Sequence, residues 1–214
     1  MRKKSLLRTA LILFSVICLA ATSDKVKNVL IIGDSISIGY TPFVQKALDP
    51  GINVAHNPGN GGSTIRGVDS LEVWLDNKEW DMVLFNFGLH DLVHKDAQNK
   101  YDVNGKVSVT LDQYRTNLEK IVAKLKETTA IIVFVTTTVV PENSAGRKAE
   151  DPALYNKVAL EVMKKNGIQV IDLYTASQTI HPQNSKPGNV HYSDAGYEQL
   201  AAPLVKTIKS LLPK

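Results

Sequence analysis

The sequence Val29-Leu30-Ile31-Ile32-Gly33-Asp34-Ser35 joins an apolar run of strand length to a short polar turn. An apolar run rich in branched residues that stops at a glycine is typical of a strand buried on both faces of a parallel sheet. Open α/β folds bind their ligands at the edge where the carboxyl ends of such strands lie. The stretch therefore predicts that the hydroxyl of Ser35 is presented at the ligand-binding edge of a sheet.

Further apolar runs follow along the chain and alternate with segments of helical periodicity. The predicted strands cover residues 26–32, 52–55, 82–87, 130–135 and 168–173. The predicted helices cover residues 43–48, 68–75, 111–125, 152–165 and 194–212. This alternation predicts an α/β domain with about five parallel strands and helices on both faces. On this topology the ligand-binding edge carries the polar connections over residues 56–65, 88–110, 136–150 and 174–193.

The first 22 residues have the pattern of a secretory signal peptide. Basic residues at positions 2–4 and 8 precede and interrupt a short apolar run, and small residues follow at positions 20 and 21. Such a run is too short for a membrane span. We therefore divide the chain into a signal peptide (1–22) and a single domain (23–214). We expect a secreted or periplasmic product without stable membrane insertion after the signal is removed.

Charge and cysteine content exclude several functions. The 25 Lys and Arg residues outnumber the 21 Asp and Glu residues, but four of the basic residues and none of the acids lie in residues 1–20. The mature chain is therefore close to neutral, and its charge does not indicate a nucleic-acid partner. The one cysteine of the sequence, Cys18, lies in the signal. A mature chain without cysteine excludes disulfides, thiolate metal sites and a cysteine nucleophile.

Four polar segments follow predicted strands or precede the last helix. They are Gly33-Asp34-Ser35, Asn57-Pro58-Gly59-Asn60-Gly61-Gly62, Gly88-Leu89-His90-Asp91 and Asn189-Val190-His191. Each segment alone is also compatible with an ordinary turn or loop. Together they offer a serine, a distant histidine and glycines that let backbone N–H groups approach a ligand, which is the arrangement of an activated serine with an oxyanion hole.

In this order the four segments resemble the SGNH hydrolases, also called the GDSL esterase and lipase family. The resemblance spans essentially the whole mature chain. It implies a three-layer α/β/α sandwich with a flavodoxin-like sheet, and ester hydrolysis through an acyl-enzyme without a metal or cofactor. It also implies that Ser35 is the nucleophile and His191 the base. The oxyanion hole would consist of the N–H groups of Ser35 and Gly62 and the side chain of His90.

The chain departs from the family pattern in the oxyanion hole. His90 stands where the family has Asn as a donor. A neutral imidazole can donate one N–H and a charged one can donate two, so the role is retained with a dependence on pH.

A second departure concerns the partner of the base. Gly188 stands three residues before His191, where the family has Asp. A Ser-His pair can still function, because the third member of a triad orients the base and does not take up a proton. We expect Asn189 or a backbone carbonyl to orient His191. An acid from elsewhere in the chain remains the alternative, and the candidates are Asp172, Asp194 and Asp91.

The favoured function is hydrolysis of O-acetyl esters of carbohydrates, on a small-molecule or polysaccharide substrate. Export argues against a cytosolic thioester, and the polar loops argue against a deep lipid tunnel. A lysophospholipase or thioesterase of the SGNH type remains open, as does a degenerate carbohydrate-binding member without activity. A metal site is a further alternative, since His90 and His94 flank Asp91 at a spacing that suits zinc on a helix.

Overall fold

The computed structural model describes residues 25–212. The predicted signal peptide, residues 1–22, lies outside this part of the chain. The strands are β1 (Lys27–Ile32), β2 (Ile52–His56), β3 (Met82–Phe85), β4 (His94–Lys95), β5 (Lys106–Val107), β6 (Ile131–Val135) and β7 (Gln169–Ile171). The helices are α1 (Ser35–Ala47), α2 (Thr64–Leu75), α3 (Leu111–Leu125), α4 (Asp151–Asn166), α5 (Leu173–Asn184) and α6 (Asp194–Leu211).

Five parallel strands form the central sheet in the order β2-β1-β3-β6-β7. The apolar runs predicted these strands. The last four residues of β1 and all of β3 are buried, because both faces of the sheet are covered by helices. The strand that follows β1 in the chain, β2, lies on one side of β1 and β3, and the next sheet strand after β3, β6, lies on the other side. Open α/β sheets bind ligands at such a point, between β1 and β3. Ile32 pairs with Phe85 and Ile31 with His56, so the segments after β1, β2 and β3 leave the sheet at one edge.

The helices cover the sheet in two layers. Both α1 and α5 pack against α6, and α3 packs against both α2 and α4. The predicted α/β fold with about five parallel strands is therefore confirmed. Among residues 25–212, no helix has both the length and the apolar character needed to span a bilayer.

The largest differences from the predicted pattern are in α1, α2, α5 and the β4–β5 hairpin. Helix α2 begins at Thr64, four residues before its predicted start. Helix α1 begins at Ser35, eight residues before the predicted start, although Gly39 and Pro42 are poor helix formers. Gly39 allows α1 to pack closely on α6, since a Cβ at this position would lie 2.2 Å from the ring of Tyr197. Helix α5 and the β4–β5 hairpin occupy segments predicted to be loops, because their short or polar sequences lack clear periodicity.

Candidate active site

Ser35 is the first residue of α1 and follows β1 after only two residues. The helix begins there because the side chain of Asp34 caps it, accepting a hydrogen bond of 2.9 Å from the N–H of Ile36. The first turn of a helix leaves its N–H groups without intrahelical acceptors. The N–H of Ser35 is therefore suitably placed to donate to an anion beside its own hydroxyl.

His191 lies next to Ser35, although 156 positions separate them in the sequence. The Nε2 atom of His191 is 2.9 Å from the Oγ atom of Ser35. On the other side of the ring, Nδ1 is 2.9 Å from the Oδ1 atom of Asn189. The structure thus brings three of the predicted site residues into one line of hydrogen bonds.

The contacts of Asn189 determine which nitrogen of His191 carries the proton. Its Oδ1 atom also accepts the backbone N–H of His191 at 3.0 Å, which fixes the orientation of the amide. Because Oδ1 can only accept, Nδ1 must donate, and in the neutral ring Nε2 is then an acceptor. The hydroxyl of Ser35 therefore donates to Nε2, which is the tautomer that a general base requires.

The three candidate acids are engaged elsewhere or make no ion pair with His191 within residues 25–212. Asp172 caps the start of α5, and Asp91 accepts hydrogen bonds from the start of α2. Asp194 lies in the first turn of α6. The structure therefore favours Asn189 over all three acids as the side chain that orients the base.

Backbone packing explains why residue 188 is a glycine. Gly188 has a φ of 69°, in the left-handed region that disfavours other residues. A Cβ at this position would lie 3.0 Å from the carbonyl oxygen of Asn143 and 3.9 Å from that of Glu142. The connection between β6 and α4 thus closes the place where the family pattern has its acid.

The glycine-rich segment after β2 is fastened to the end of β1. The Oδ1 atom of Asn57 accepts the N–H of Gly33 at 2.8 Å, and the N–H of Gly61 donates to the carbonyl oxygen of Gly33 at 2.8 Å. A Cβ on Gly61 would lie 2.5 Å from that oxygen, so only glycine fits. These contacts hold the segment beside the turn that carries Ser35.

The predicted oxyanion donor Gly62 is at this edge, but its N–H already has an acceptor. It donates to the Oδ1 atom of Asn60 at 2.8 Å. A substrate oxyanion would therefore have to share this N–H with Asn60 or displace its side chain.

His90 lies in the turn after β3 and is linked to the same region. The neighbouring Asp91 accepts hydrogen bonds from the N–H of Thr64 at 2.9 Å and from its hydroxyl at 2.5 Å. Thr64 begins α2 only two residues after Gly62. This buried link holds the turn of His90 next to the segment of Gly62.

The surroundings of His90 favour its neutral form. Burial lowers the pKa of His90, and the charges of Arg147, His191 and Lys95 add to this effect, while the carboxylate of Asp34 opposes it. A neutral imidazole still has one N–H to donate.

The candidate metal ligands do not converge in the structure. The residues of this segment form a turn and the short strand β4 instead of a helix. Asp91 binds Thr64, and the Nδ1 atom of His94 faces the Oδ2 atom of Asp151 at 3.7 Å. No group of three or more His, Cys, Asp or Glu side chains that could hold a metal ion is found in the part of the chain that the structure describes.

The sequence analysis assigned no role to two residues that contact the site. The side chain of Asn60 accepts a hydrogen bond from the N–H of Gly62. Asn often accepts from the backbone N–H two residues later, and this spacing was the only indication in the sequence. The side chain of Arg147 donates from Nε to the carbonyl oxygen of Leu89 at 3.0 Å. These two residues are 58 positions apart, and no local pattern around Arg147 indicates the contact.

Comparison with known proteins defines the class. The sequence profile of the GDSL-like Lipase/Acylhydrolase family matches residues 31–199, a range that includes Ser35 and His191. The chain belongs to this family of acylhydrolases, as the four segments predicted. No curated protein matches the chain in sequence.

Solved structures share the fold over nearly the whole described chain. A lipase/acylhydrolase from Enterococcus faecalis is 24% identical, with a TM-score of 0.70 over 88% of this chain and 98% of that one. An acetyl xylan esterase is 19% identical, with a TM-score of 0.70 over 85% of this chain and 99% of that one. An acetylxylan esterase from Geobacillus stearothermophilus is 20% identical, with a TM-score of 0.69 over 86% of this chain and 96% of that one. The predicted three-layer α/β/α sandwich is confirmed.

Proposed function

We propose that this acylhydrolase is a secreted or periplasmic serine esterase that removes small acyl groups, above all O-acetyl groups, from carbohydrates. The observation that carries the proposal is the line of hydrogen bonds from Ser35 through His191 to Asn189. A serine hydroxyl within 2.9 Å of a correctly protonated imidazole, at the start of a helix, is the geometry of an activated nucleophile.

In the proposed reaction, Nε2 of His191 takes the proton of Ser35 while Oγ attacks the ester carbonyl. The negative charge that develops on the carbonyl oxygen is stabilised by the N–H group of Ser35 and by the neutral imidazole of His90. The N–H of Gly62 contributes once it is shared with, or released by, the side chain of Asn60. The C–O bond to the alcohol then breaks, and His191 returns the proton to the leaving oxygen. A water molecule, deprotonated by His191, hydrolyses the acyl-enzyme in the same way and releases the acid.

Asn189 has the role of orienting the base. Its amide holds the ring of His191 in the required tautomer, but it carries no charge to stabilise the imidazolium that forms during the reaction. The backbone carbonyl of Asn189 accepts hydrogen bonds from the hydroxyl of Ser185 at 2.7 Å and from Nε2 of His181 at 2.8 Å. These contacts support the loop that carries both Asn189 and His191.

The substrate class is inferred from the shape and chemistry of the site. Ser35 is half-buried and His191 is exposed, so the pair is open to solvent and accessible to a bulky polar alcohol. Polar connections surround the pair, which suits a carbohydrate better than a long acyl chain. Two of the solved structures with the same fold are described as acetylxylan esterases, which is consistent with this substrate class.

A panel of esters combined with active-site labelling tests the proposal. We expect a fluorophosphonate to label Ser35, and we expect faster hydrolysis of acetylated xylan than of a medium-chain nitrophenyl ester or a lysophospholipid. Ser35→Ala should abolish labelling and reduce kcat at least about a thousandfold. The control is Ser63→Ala, because the Ser63 hydroxyl lies at the start of α2 and makes no capping hydrogen bond.

The alternatives give different results in the same experiment. A preference for lysophospholipid would replace the substrate class but keep the mechanism. Failure of Ser35 to react, together with binding of xylan without hydrolysis, would favour the non-catalytic carbohydrate-binding alternative. Export is tested separately by recovering the protein from outside the cytoplasm. Its mass should be that of a chain that begins near residue 23.

A further inference from the structure

The side chain of Arg147 is held in a fixed position beside the proposed oxyanion hole. Its Nε donates to the carbonyl oxygen of Leu89, the residue before His90, and its Nη1 lies 3.4 Å from the carbonyl oxygen of Ala145. The guanidinium carbon lies 5.9 Å from the ring centroid of Tyr101, within the range of a cation–π contact. The guanidinium is therefore orientated before any substrate binds.

The charge of Arg147 has no counter-ion within the described part of the chain. No carboxylate oxygen there lies within ion-pair distance of it, whereas Arg115 on the outer surface pairs with Glu161 at 2.5 Å. Burial lowers the pKa of Arg147, while Tyr101 and the more distant Asp34 oppose this effect. A partly buried guanidinium with free N–H groups on Nη2 favours an anionic ligand.

A second arginine lies beside Gly62. The side chain of Arg66 packs over Gly62, with its Cδ atom 3.5 Å from the place a Cβ on Gly62 would occupy. Arg66 is exposed and likewise has no ion pair among residues 25–212. Each of the two non-serine oxyanion donors, Gly62 and His90, is therefore accompanied by an unpaired arginine.

We propose that Arg147, supported by Arg66, forms a subsite for an anionic group on the alcohol portion of the ester. This inference rests on the proposed esterase function and narrows its substrate to acylated acidic carbohydrates, recognised through a carboxylate or a phosphate. The charge belongs to the alcohol portion because an acetyl group carries none. Tyr101 is 57% exposed beside Arg147, and its ring offers a surface on which a sugar can stack.

Three acetylated sugars that differ in one substituent test the subsite. They differ only at the carbon outside the ring, and all their other hydroxyls are acetylated. This carbon is a carboxylate in the glucuronic acid, carries the phosphate in the glucose phosphate and is a methyl group in the deoxyglucose, which is the neutral control. We expect kcat/KM for at least one of the two anionic sugars to exceed that of the neutral sugar about tenfold through a lower KM, as charge-assisted hydrogen bonds of this kind provide. The preference should weaken in about 0.5 M salt, because salt screens a partly exposed charge.

Variants separate anion binding from a structural role. Arg147→Gln should remove most of the preference, measured as the ratio of kcat/KM for the anionic sugars to kcat/KM for the neutral sugar. Gln loses the charge but keeps an N–H that can donate to the carbonyl oxygen of Leu89, so any loss on the neutral sugar should be smaller than the loss on the anionic sugars. Arg147→Lys should keep part of the preference, because it keeps the charge and loses the planar fork. Arg115→Gln is the matched control. It should change neither the preference for the anionic sugars nor kcat/KM for the neutral sugar.

The outcomes are distinct. Equal rates for all three sugars in the wild-type protein, or an equal loss on every sugar in Arg147→Gln, would overturn the anionic subsite and leave the esterase proposal intact. The relative rates on the glucuronate and on the glucose phosphate show whether the subsite prefers a carboxylate or a phosphate. Failure of the wild-type protein to hydrolyse any acetylated sugar would overturn the proposed function, and this inference would fall with it.

Discussion

At the scale of single residues, the proposed site uses an amide where the family pattern has an acid, and an imidazole where that pattern has an amide. Asn189 takes the place of an acid beside His191, and His90 takes the place of an amide donor in the turn after β3. The first replacement keeps a hydrogen bond to the ring of His191 but lacks the negative charge of an acid, and the second offers a neutral N–H donor that can also be ionised. The two residues therefore make separate predictions about rate.

Asn189 can be tested by removing the amide or by giving it a charge. Asn189→Ala should lower kcat about 10- to 100-fold, because it removes one hydrogen bond to a ring that becomes charged in the reaction. Asn189→Asp should raise kcat, since a carboxylate in the same place stabilises the imidazolium. Steady-state kinetics on an activated acetate ester measures both effects.

The hydrogen bonds to Ser185 and His181 should be kept in both variants, because they use the backbone carbonyl of residue 189. Asn189→Ala also loses the hydrogen bond to the backbone N–H of His191. Thermal melting provides this control. An unchanged kcat in Asn189→Ala would contradict the orienting role.

His90 is predicted to donate to the oxyanion as a neutral ring. His90→Ala should lower kcat about 100- to 1000-fold, the usual effect of losing one oxyanion donor. His90→Asn should restore most of the rate, because Asn places an N–H donor at the same position. Equal rates for the alanine variant and the wild-type protein would remove His90 from the mechanism.

The pH dependence provides an independent check on His90. Burial lowers the pKa of its imidazole, so the ring is neutral at neutral pH and stays neutral as pH rises. We therefore expect no loss of kcat from deprotonation of His90 between about pH 7 and pH 9. A decline over this range that disappears in His90→Asn would show instead that His90 acts as a cation.

At the scale of elements, the site depends on how the loops at the sheet edge are fastened to one another. Gly61 binds the end of β1, Asp91 binds the start of α2, and Gly188 packs against the connection between β6 and α4. These contacts are short and mostly involve the backbone. The loops consequently have little freedom to move independently of the strands that carry them.

Gly61→Ala tests this fastening. The added Cβ would lie 2.5 Å from the carbonyl oxygen of Gly33 and should push the segment away from β1. We expect a loss of roughly 1–3 kcal/mol in the free energy of unfolding, as for other overpacked sites, together with a lower kcat. Gly51→Ala is the control, because no atom lies within 4 Å of its Cβ position, and it should change stability by less than about 0.5 kcal/mol. Equal effects of the two changes would contradict the proposed fastening.

The sequence predicted elements well where local signals and packing agree. The bounds of α3 were predicted correctly from its apolar spacing, and the structure shows a capping box of Thr110 and Gln113 at the same start. Helix α1 was predicted too short, because its first turns depend on the packing of Gly39 against Tyr197, a contact between distant parts of the chain.

At the site, too, local motifs were predictable and contacts between distant parts of the chain were not. Ser35, His191 and Asn189 lie in short motifs that follow or precede regular elements, so their residue types and order indicated their proximity. The contact of Arg147 with Leu89 joins two irregular loops, and neither periodicity nor a motif indicates such a pair. Irregular backbone has no sequence period, which is why the surroundings of the reactive residues were not predicted.

At the scale of the whole molecule, a buried carboxyl group makes the free energy of unfolding depend on pH. Asp91 is fully buried, and only one of its carboxylate oxygens has hydrogen-bond partners within the described residues. Burial raises the pKa of Asp91 to about 7, although its hydrogen bonds with Thr64 oppose the effect. The folded protein therefore holds this proton more tightly than the unfolded chain, in which the pKa of Asp is about 3.9.

This difference predicts how stability changes with pH. Between about pH 4 and pH 7 the unfolded chain has lost the proton and the folded protein still holds it, so the contribution of Asp91 to stability falls as pH rises. In Asp91→Asn the acceptor for Thr64 is kept and the ionisation is removed. Relative to the wild-type protein, this variant should gain up to a few kcal/mol in unfolding free energy between pH 4 and pH 8, at about 1.4 kcal/mol for each tenfold difference in proton affinity.

Urea unfolding at several pH values measures this difference. Asp69→Asn, at an exposed position of α2, is the control for loss of a surface carboxylate and should show a much smaller trend. Parallel pH curves for Asp91→Asn and the wild-type protein would contradict a raised pKa of Asp91.

The glycine at position 188 restricts how natural variation can alter this enzyme. Its left-handed backbone and the facing carbonyl oxygen of Asn143 mean that an acid there would require a second, compensating change. The codons of Asn and Asp differ by one base, so position 189 offers a carboxylate in a single mutational step. We therefore expect lineages of this chain that acquire an acid to carry it two residues before the histidine, where a motif search built on the usual spacing would overlook it.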